Sequence, residues 1–194
     1  MGSNNVSVTF TNSLDSEFTL GKLNDGFAVT TQSQDMRFIQ SVSSPLAGNG
    51  SQTLSVEQVN TFVDSVKSAS PLGSALANPS GCIAVSVVWT CYALGLRFGI
   101  SADISSTRID AVGGTLANAL NQLPGFNVSP PSPSVTWSYL VDNSPDAPGK
   151  WIQPSSLTAP LTVSFPGNAG FELVLTPVVD ESSIQLQCQV QMAT

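Results

Sequence analysis

The 194-residue chain has no histidine, six basic residues and three cysteines, and only 10% of its residues are charged. Each shortage removes a class of function. Without histidine there is no Ser–His–Asp or Cys–His nucleophile, no imidazole metal ligand and no ordinary general base near neutral pH. The basic residues Lys22, Arg37, Lys67, Arg97, Arg108 and Lys150 are scattered, with no two adjacent. They form no stripe that would release counterions from a phosphate backbone, so a nucleic-acid-binding tail or patch is not expected.

Charged residues make up roughly a quarter of an ordinary soluble domain. Here the polar surface has to come from Ser, Thr, Asn and Gln. Hydrophobic residues reach 41% and the net charge is -7, with a pI near 4.1. Disorder by composition needs few apolar residues and a high net charge, so a folded chain is expected. A surface of this kind is weakly self-repelling and suits burial against other subunits. The opening stretch, MGSNNVSVTF, carries neither the basic nor the apolar segment of a secretory signal, which leaves the compartment open.

Cys82 and Cys91 lie nine residues apart. On one strand that spacing separates them by roughly 30 Å, too far for a disulfide. With Cys188 the count is odd, and buried thiols without disulfides are the expectation. No C-x-x-C pair, P-loop or G-x-G-x-x-G fingerprint occurs, so no metal or cofactor is expected. The remaining carboxylate pairs, Asp180 with Glu181 and Asp103 with Asp110, read as a charged turn and as acids around a helix start. Nothing sets either pair across a cleft as glycoside hydrolysis requires. Asp142, Asn143 and Asp146 offer oxygens for calcium but lack EF-hand spacing, and read as a plain turn. No residue is expected to be catalytic, and the chain is not expected to be an enzyme.

The hydrophobic pattern is mostly of period two, the signature of strands with one buried face. Val6, Val8 and Phe10 open the series, followed by Phe27–Gln32 and Met36–Val42. Ser43–Thr53 is rich in Ser, Gly and Pro and reads as a loop. Val56, Val59, Phe62, Val63 and Val66 then recur at helical steps. Ser55 and Gln58 fit a capping box, and Pro71 supplies a stop. A second helix is expected over about Thr107–Gln122, ending at Pro124-Gly125.

Between these helices, Cys82–Leu96 carries no charge and is rich in β-branched residues. It is too short for a transmembrane helix, so no membrane span is expected. One or two central strands buried on both faces, broken near Gly95, is the reading. After the stiff connector SPPSPS, strands return at Val135–Val141, Leu161–Phe165, Phe171–Val179 and Ser183–Met192. The expected fold class is α+β and β-rich. It is an antiparallel β-sandwich or jelly roll with about two helices in the connections, a single domain over residues 1–194.

The last strand stands out. Ile184, Leu186, Cys188, Val190 and Met192 alternate with Gln185, Gln187, Gln189 and Gln191. A solvent-facing strand usually carries some charge, and edge strands often use Lys to block pairing with other chains. Amides donate and accept together, so they can bond across a subunit contact without burying charge. The four glutamines are therefore candidate subunit contacts. Trp151, following Pro148-Gly149-Lys150, is the candidate exposed aromatic, whereas Trp89 and Trp137 read as core.

In size, in its Ser/Thr/Pro/Val-rich low-charge composition and in its strand pattern, the chain resembles the coat proteins of small non-enveloped viruses. The resemblance implies a self-assembling capsid subunit located in the virion, with copies of itself as partners. It departs from many such coats in lacking a basic N-terminal arm. Asp15 and Glu17 are the only charges in the first twenty residues. Genome contact would then be slight, or fall to isolated residues such as Arg37, Arg97 or Arg108. A carbohydrate- or surface-binding β-sandwich stacking sugar on Trp151 is the alternative. A pore-forming or membrane-active protein using Cys82–Leu96 is a further one.

Overall fold

The structure, a computed structural model, describes residues 5–21, 26–32, 36–58, 79–107, 134–144, 149–179 and 183–194. Eleven strands are formed by these residues. They are β1 (Asn5–Asn12), β2 (Thr19–Leu20), β3 (Ala28–Gln32), β4 (Met36–Gln40), β5 (Ser51–Gln58) and β6 (Pro79–Cys91). β7 (Leu96–Thr107), β8 (Ser134–Asp142), β9 (Leu161–Phe165), β10 (Asn168–Val179) and β11 (Ser183–Met192) follow.

The strands make two sheets. One has six strands in the order β4-β5-β1-β11-β10-β9; the other has the order β2-β6-β7-β8, with β3 also pairing β6. Every pairing is antiparallel except β1 with β11, the first and last strands, which run parallel with Val8 opposite Leu186. The β-rich, largely antiparallel architecture agrees with the expectation from alternation.

The inner faces enclose one hydrophobic core. Val6, Val8 and Phe10 of β1, Leu173 and Leu175 of β10, and Leu186, Cys188 and Val190 of β11 meet Trp89, Phe98, Ile100 and Trp137 of the other sheet. Edge-to-face ring pairs hold the aromatic end, with Phe10 and Trp89 5.9 Å apart and Phe18 and Phe98 5.2 Å apart. Such pairs add about 1 kcal/mol each beyond area burial. Trp89 and Trp137 are core residues, as the sequence suggested.

Asn12 is fully buried and fully used. Its Nδ2 donates to the Ser16 carbonyl at 2.8 Å and the Ala47 carbonyl at 3.0 Å, and its Oδ1 accepts from the Leu14 amide at 3.0 Å. One amide side chain thus ties the β1–β2 loop to the segment leading into β5.

Several expectations change. The capping-box residues Ser55 and Gln58, with Val56 between them, belong to β5 and not to a helix. Leu54 and Val56 pair with Val8 and Val6, so the ladder with β1 sets an extended conformation there. Residues 59–66 of the expected first helix lie outside the described residues. Of the second helix, Thr107 is the last residue of β7 and 108–122 lie outside the described residues. No helix occurs among the described residues. The expected loop at Ser43–Thr53 ends early, because β5 begins at Ser51.

The uncharged run forms β6, a turn at 92–95, and the start of β7. Gly95 takes a positive φ of 62° at the expected break. Burial on both faces holds at the turn end, over Val87–Cys91 and Leu96–Ile100, and not further along β6. Among the described residues no helix is long and apolar enough to cross a membrane.

Candidate functional site

The outward face of the six-stranded sheet is built from rows of small hydroxyls and amides. Cross-strand registers align Ser55, Ser7, Gln185 and Val178; then Thr53, Thr9, Gln187 and Thr176; then Ser51, Thr11, Gln189, Val174 and Thr162. Side chains directly opposite in a ladder share a face, so these rows are continuous surface. The Thr9 and Thr53 hydroxyls lie 3.0 Å apart. Charge is confined to the flanks: Arg37 of β4 pairs with Glu57 of β5, and Glu172 lies on β10.

The four glutamines are not equivalent. Gln185 and Gln187 are exposed, while Gln189 and Gln191 are half-buried. Gln189 Nε2 donates to Ser13 Oγ at 2.9 Å, and Gln191 Nε2 donates to Glu172 Oε1 at 2.7 Å. Gln187, in the middle of its row, presents the freest amide. β11 itself lies inside the sheet, between β1 and β10. The lack of lysine on this strand is therefore not a lack of edge protection, because both its edges are already paired. What remains of that argument concerns the face.

The outward face of the five-stranded sheet also aligns Ser86, Ser101 and Ser138, but its turn end is treated differently. At its turn end Val88, Thr90, Arg97, Gly99 and Leu140 are all buried. The segment at 149–152 packs over Arg97, Gly99 and Leu140, and Tyr139 and Ile152 exchange backbone hydrogen bonds of 2.9 and 2.8 Å, which pins this segment to β8. The approach is so close that a Cβ at Gly149 would lie 2.0 Å from Leu140 Cδ1 and 2.3 Å from Arg97 Nη2. Trp151 lays its ring over Gly99, where an added Cβ would sit 3.2 Å from its Cη2. Trp151 remains 38% exposed.

This arrangement corrects the expectation for Arg97. At 1% exposure it lies beneath the segment, in register with Asp142, and is not a surface cation. Of the other residues considered for genome contact, Arg37 is exposed but engaged by Glu57, and Arg108 lies outside the described residues. Asp142 Oδ1 accepts the Ser144 amide at 2.9 Å, a turn-closing bond; Asp146, Asp180, Glu181 and Asp110 lie outside the described residues.

A cavity of about 220 Å³ opens between the sheets at the opposite end. Val6, Val8, Ala102, Trp137, Leu157 and Ile184 form much of its wall, and none of its lining residues is ionisable. The Trp137 indole donor is already spent on the Leu157 carbonyl at 3.2 Å. The cavity offers apolar volume and no acid or base.

Burial pushes the Cys188 thiol far above its ordinary range, so it is neither a nucleophile nor a ready metal ligand. No group of three or more metal-ligating side chains occurs among the described residues. No protein-family model and no curated protein matches the chain.

Proposed function

We propose that the protein is a self-assembling structural subunit of the kind that forms the coats of small non-enveloped viruses, with the virion as its location. The observation that carries this reading is the outward face of the six-stranded sheet. Its Ser, Thr and Gln rows span β5, β1 and β11 without a charge between Glu57 and Glu172. Hydroxyls and amides pair with copies of themselves at little desolvation cost compared with ions. The low charge of the entire chain fits the same use. Arg97 is buried and Arg37 is held by Glu57, so genome contact in such a particle would be weak or indirect.

Light scattering behind size exclusion, with absorbance read at 260 and 280 nm, tests the reading. A particle of many subunits is the expected result, and a monomer of about 20 kDa at all concentrations overturns it. Within an assembly, replacing Gln187 and Gln189 by Lys is expected to shift the equilibrium toward free subunits while leaving those subunits folded. Assembly identical to wild type would remove the amide face from the contact.

A second reading rests on Trp151, whose partly exposed indole on a fixed backbone is the geometry of a sugar-stacking platform. Retention on a glycan column that is lost in Trp151→Ala would favour it over assembly.

A further inference from the structure

The six-stranded sheet ends in two edges of opposite character. At β4 the edge carries Arg37, and the ladder is broken by a bulge between Phe38 and Gln40. Charge and a bulge are the usual means of stopping one sheet from adding to another. At β9 neither is present. Leu161–Phe165 reads LTVSF, and no charged residue occurs from Ile152 to Phe171. β9 pairs with β10 alone, and no other backbone bond to it is made among the described residues. Thr162 and Ser164 are exposed, and Leu161 and Val163, on the core-facing side, are only half-buried.

The strand is also self-complementary. Two copies related by a two-fold axis through Val163 would place Val163 opposite Val163, Leu161 opposite Phe165 and Thr162 opposite Ser164. The apolar side of one copy then meets the apolar side of the other, and hydroxyl meets hydroxyl on the outward face. The Ser/Thr/Gln rows continue across the junction, because Thr162 already stands in register with Val174 and Gln189.

We infer that β9 pairs antiparallel with β9 of a second copy, joining two six-stranded sheets into one. This rests on the assembly reading above and names one of its contacts. The strand is about 17 Å long at 3.4 Å per residue, so the junction is small beside the roughly 1,000 Å² of a stable specific interface. The pairing is therefore weak and reversible by itself, and other contacts of the assembly add to it.

Two double variants test the register. T162K/S164K sets lysine opposite lysine twice across the two-fold, whereas T162E/S164K sets glutamate opposite lysine twice. Both place the same lysine beside Glu172 within the chain and differ only at 162, opposite Val174, where the thermal melt compares their effects on the folded subunit. Sedimentation over a concentration series is the measurement, with a thermal melt to confirm folding. The first variant is expected to weaken self-association by about tenfold or more, and the second to stay near wild type. Wild-type association in both variants, or equal loss in both, overturns the β9 junction while leaving the assembly reading standing. A wild-type chain that stays monomeric throughout overturns both.

Discussion

Both sheets bury a β-branched and aromatic inner face, and both carry outward hydroxyls such as Ser86, Ser101 and Ser138 on the five-stranded sheet, yet at the turn end their outer faces differ. The six-stranded sheet leaves rows of hydroxyls and amides open from β5 through β1 to β11. At its turn end the five-stranded sheet is roofed by residues 149–152, close enough to bury Arg97 and Leu140 on what would otherwise be solvent side. An outer face that a protein has covered with its own chain is a matter of stability. One left bare and uncharged is available to something else.

The inner faces should be the place where this difference vanishes. Phe10 of the six-stranded sheet is fully buried with its ring edge-on to Trp89 of the other. Phe10→Ala removes packing from both sheets at once and is expected to cost about 3–5 kcal/mol in chemical denaturation of the subunit. A loss under about 1 kcal/mol would mean that the sheets do not share one core.

The outer faces should separate the two sheets. A methyl group at Gly149 has no room between Leu140 and Arg97, so Gly149→Ala must shift either those buried side chains or the covering segment. The expected cost is about 1–3 kcal/mol, the usual range for overpacking. Gln187→Ala, on the exposed face of the other sheet, should alter subunit stability by less than about 0.5 kcal/mol, as surface changes generally do. Thermal or urea unfolding of the pair is the check. Equal effects would erase the contrast between a covered face and an open one.

How much of this was legible follows from which interactions are local. Alternation identified β1, β8 and β11, because a strand with one buried face writes its period into the sequence. The uncharged β-branched run marked one or two strands with a break near Gly95, and the pairing of β6 with β7 is what the structure adds. Val56 was misread because it belongs to two patterns. It alternates with Leu54, and it also begins the helical series through Val59 and Phe62. Pairing with β1, some fifty residues earlier, decides for the strand over 51–58.

Position within a sheet was not legible at all. Nothing in the SIQLQCQVQM stretch says that its neighbours are β10 and the first strand of the chain, so its glutamines looked like an unguarded edge. Arg97 looked like an available cation for the same reason. The backbone that hides it is some fifty residues away in sequence, and the only local hint is a glycine at 149.

A further comparison concerns the seam between the sheets. Trp89 is fully buried, and its indole N–H meets no acceptor among the described residues. A buried donor left without a partner forfeits the hydrogen bond it had to water. Trp89→Phe removes that donor and keeps an aromatic ring for Phe10 to meet edge-on, at the expense of some volume. The two terms oppose each other, so the net cost should stay within about 1.5 kcal/mol, well below that of Phe10→Ala. Urea midpoints of the two variants, measured side by side, decide the matter. A Trp89→Phe cost as large as that of Phe10→Ala would show that the indole is held by more than ring packing, and that the seam is pinned at Trp89 by a polar contact.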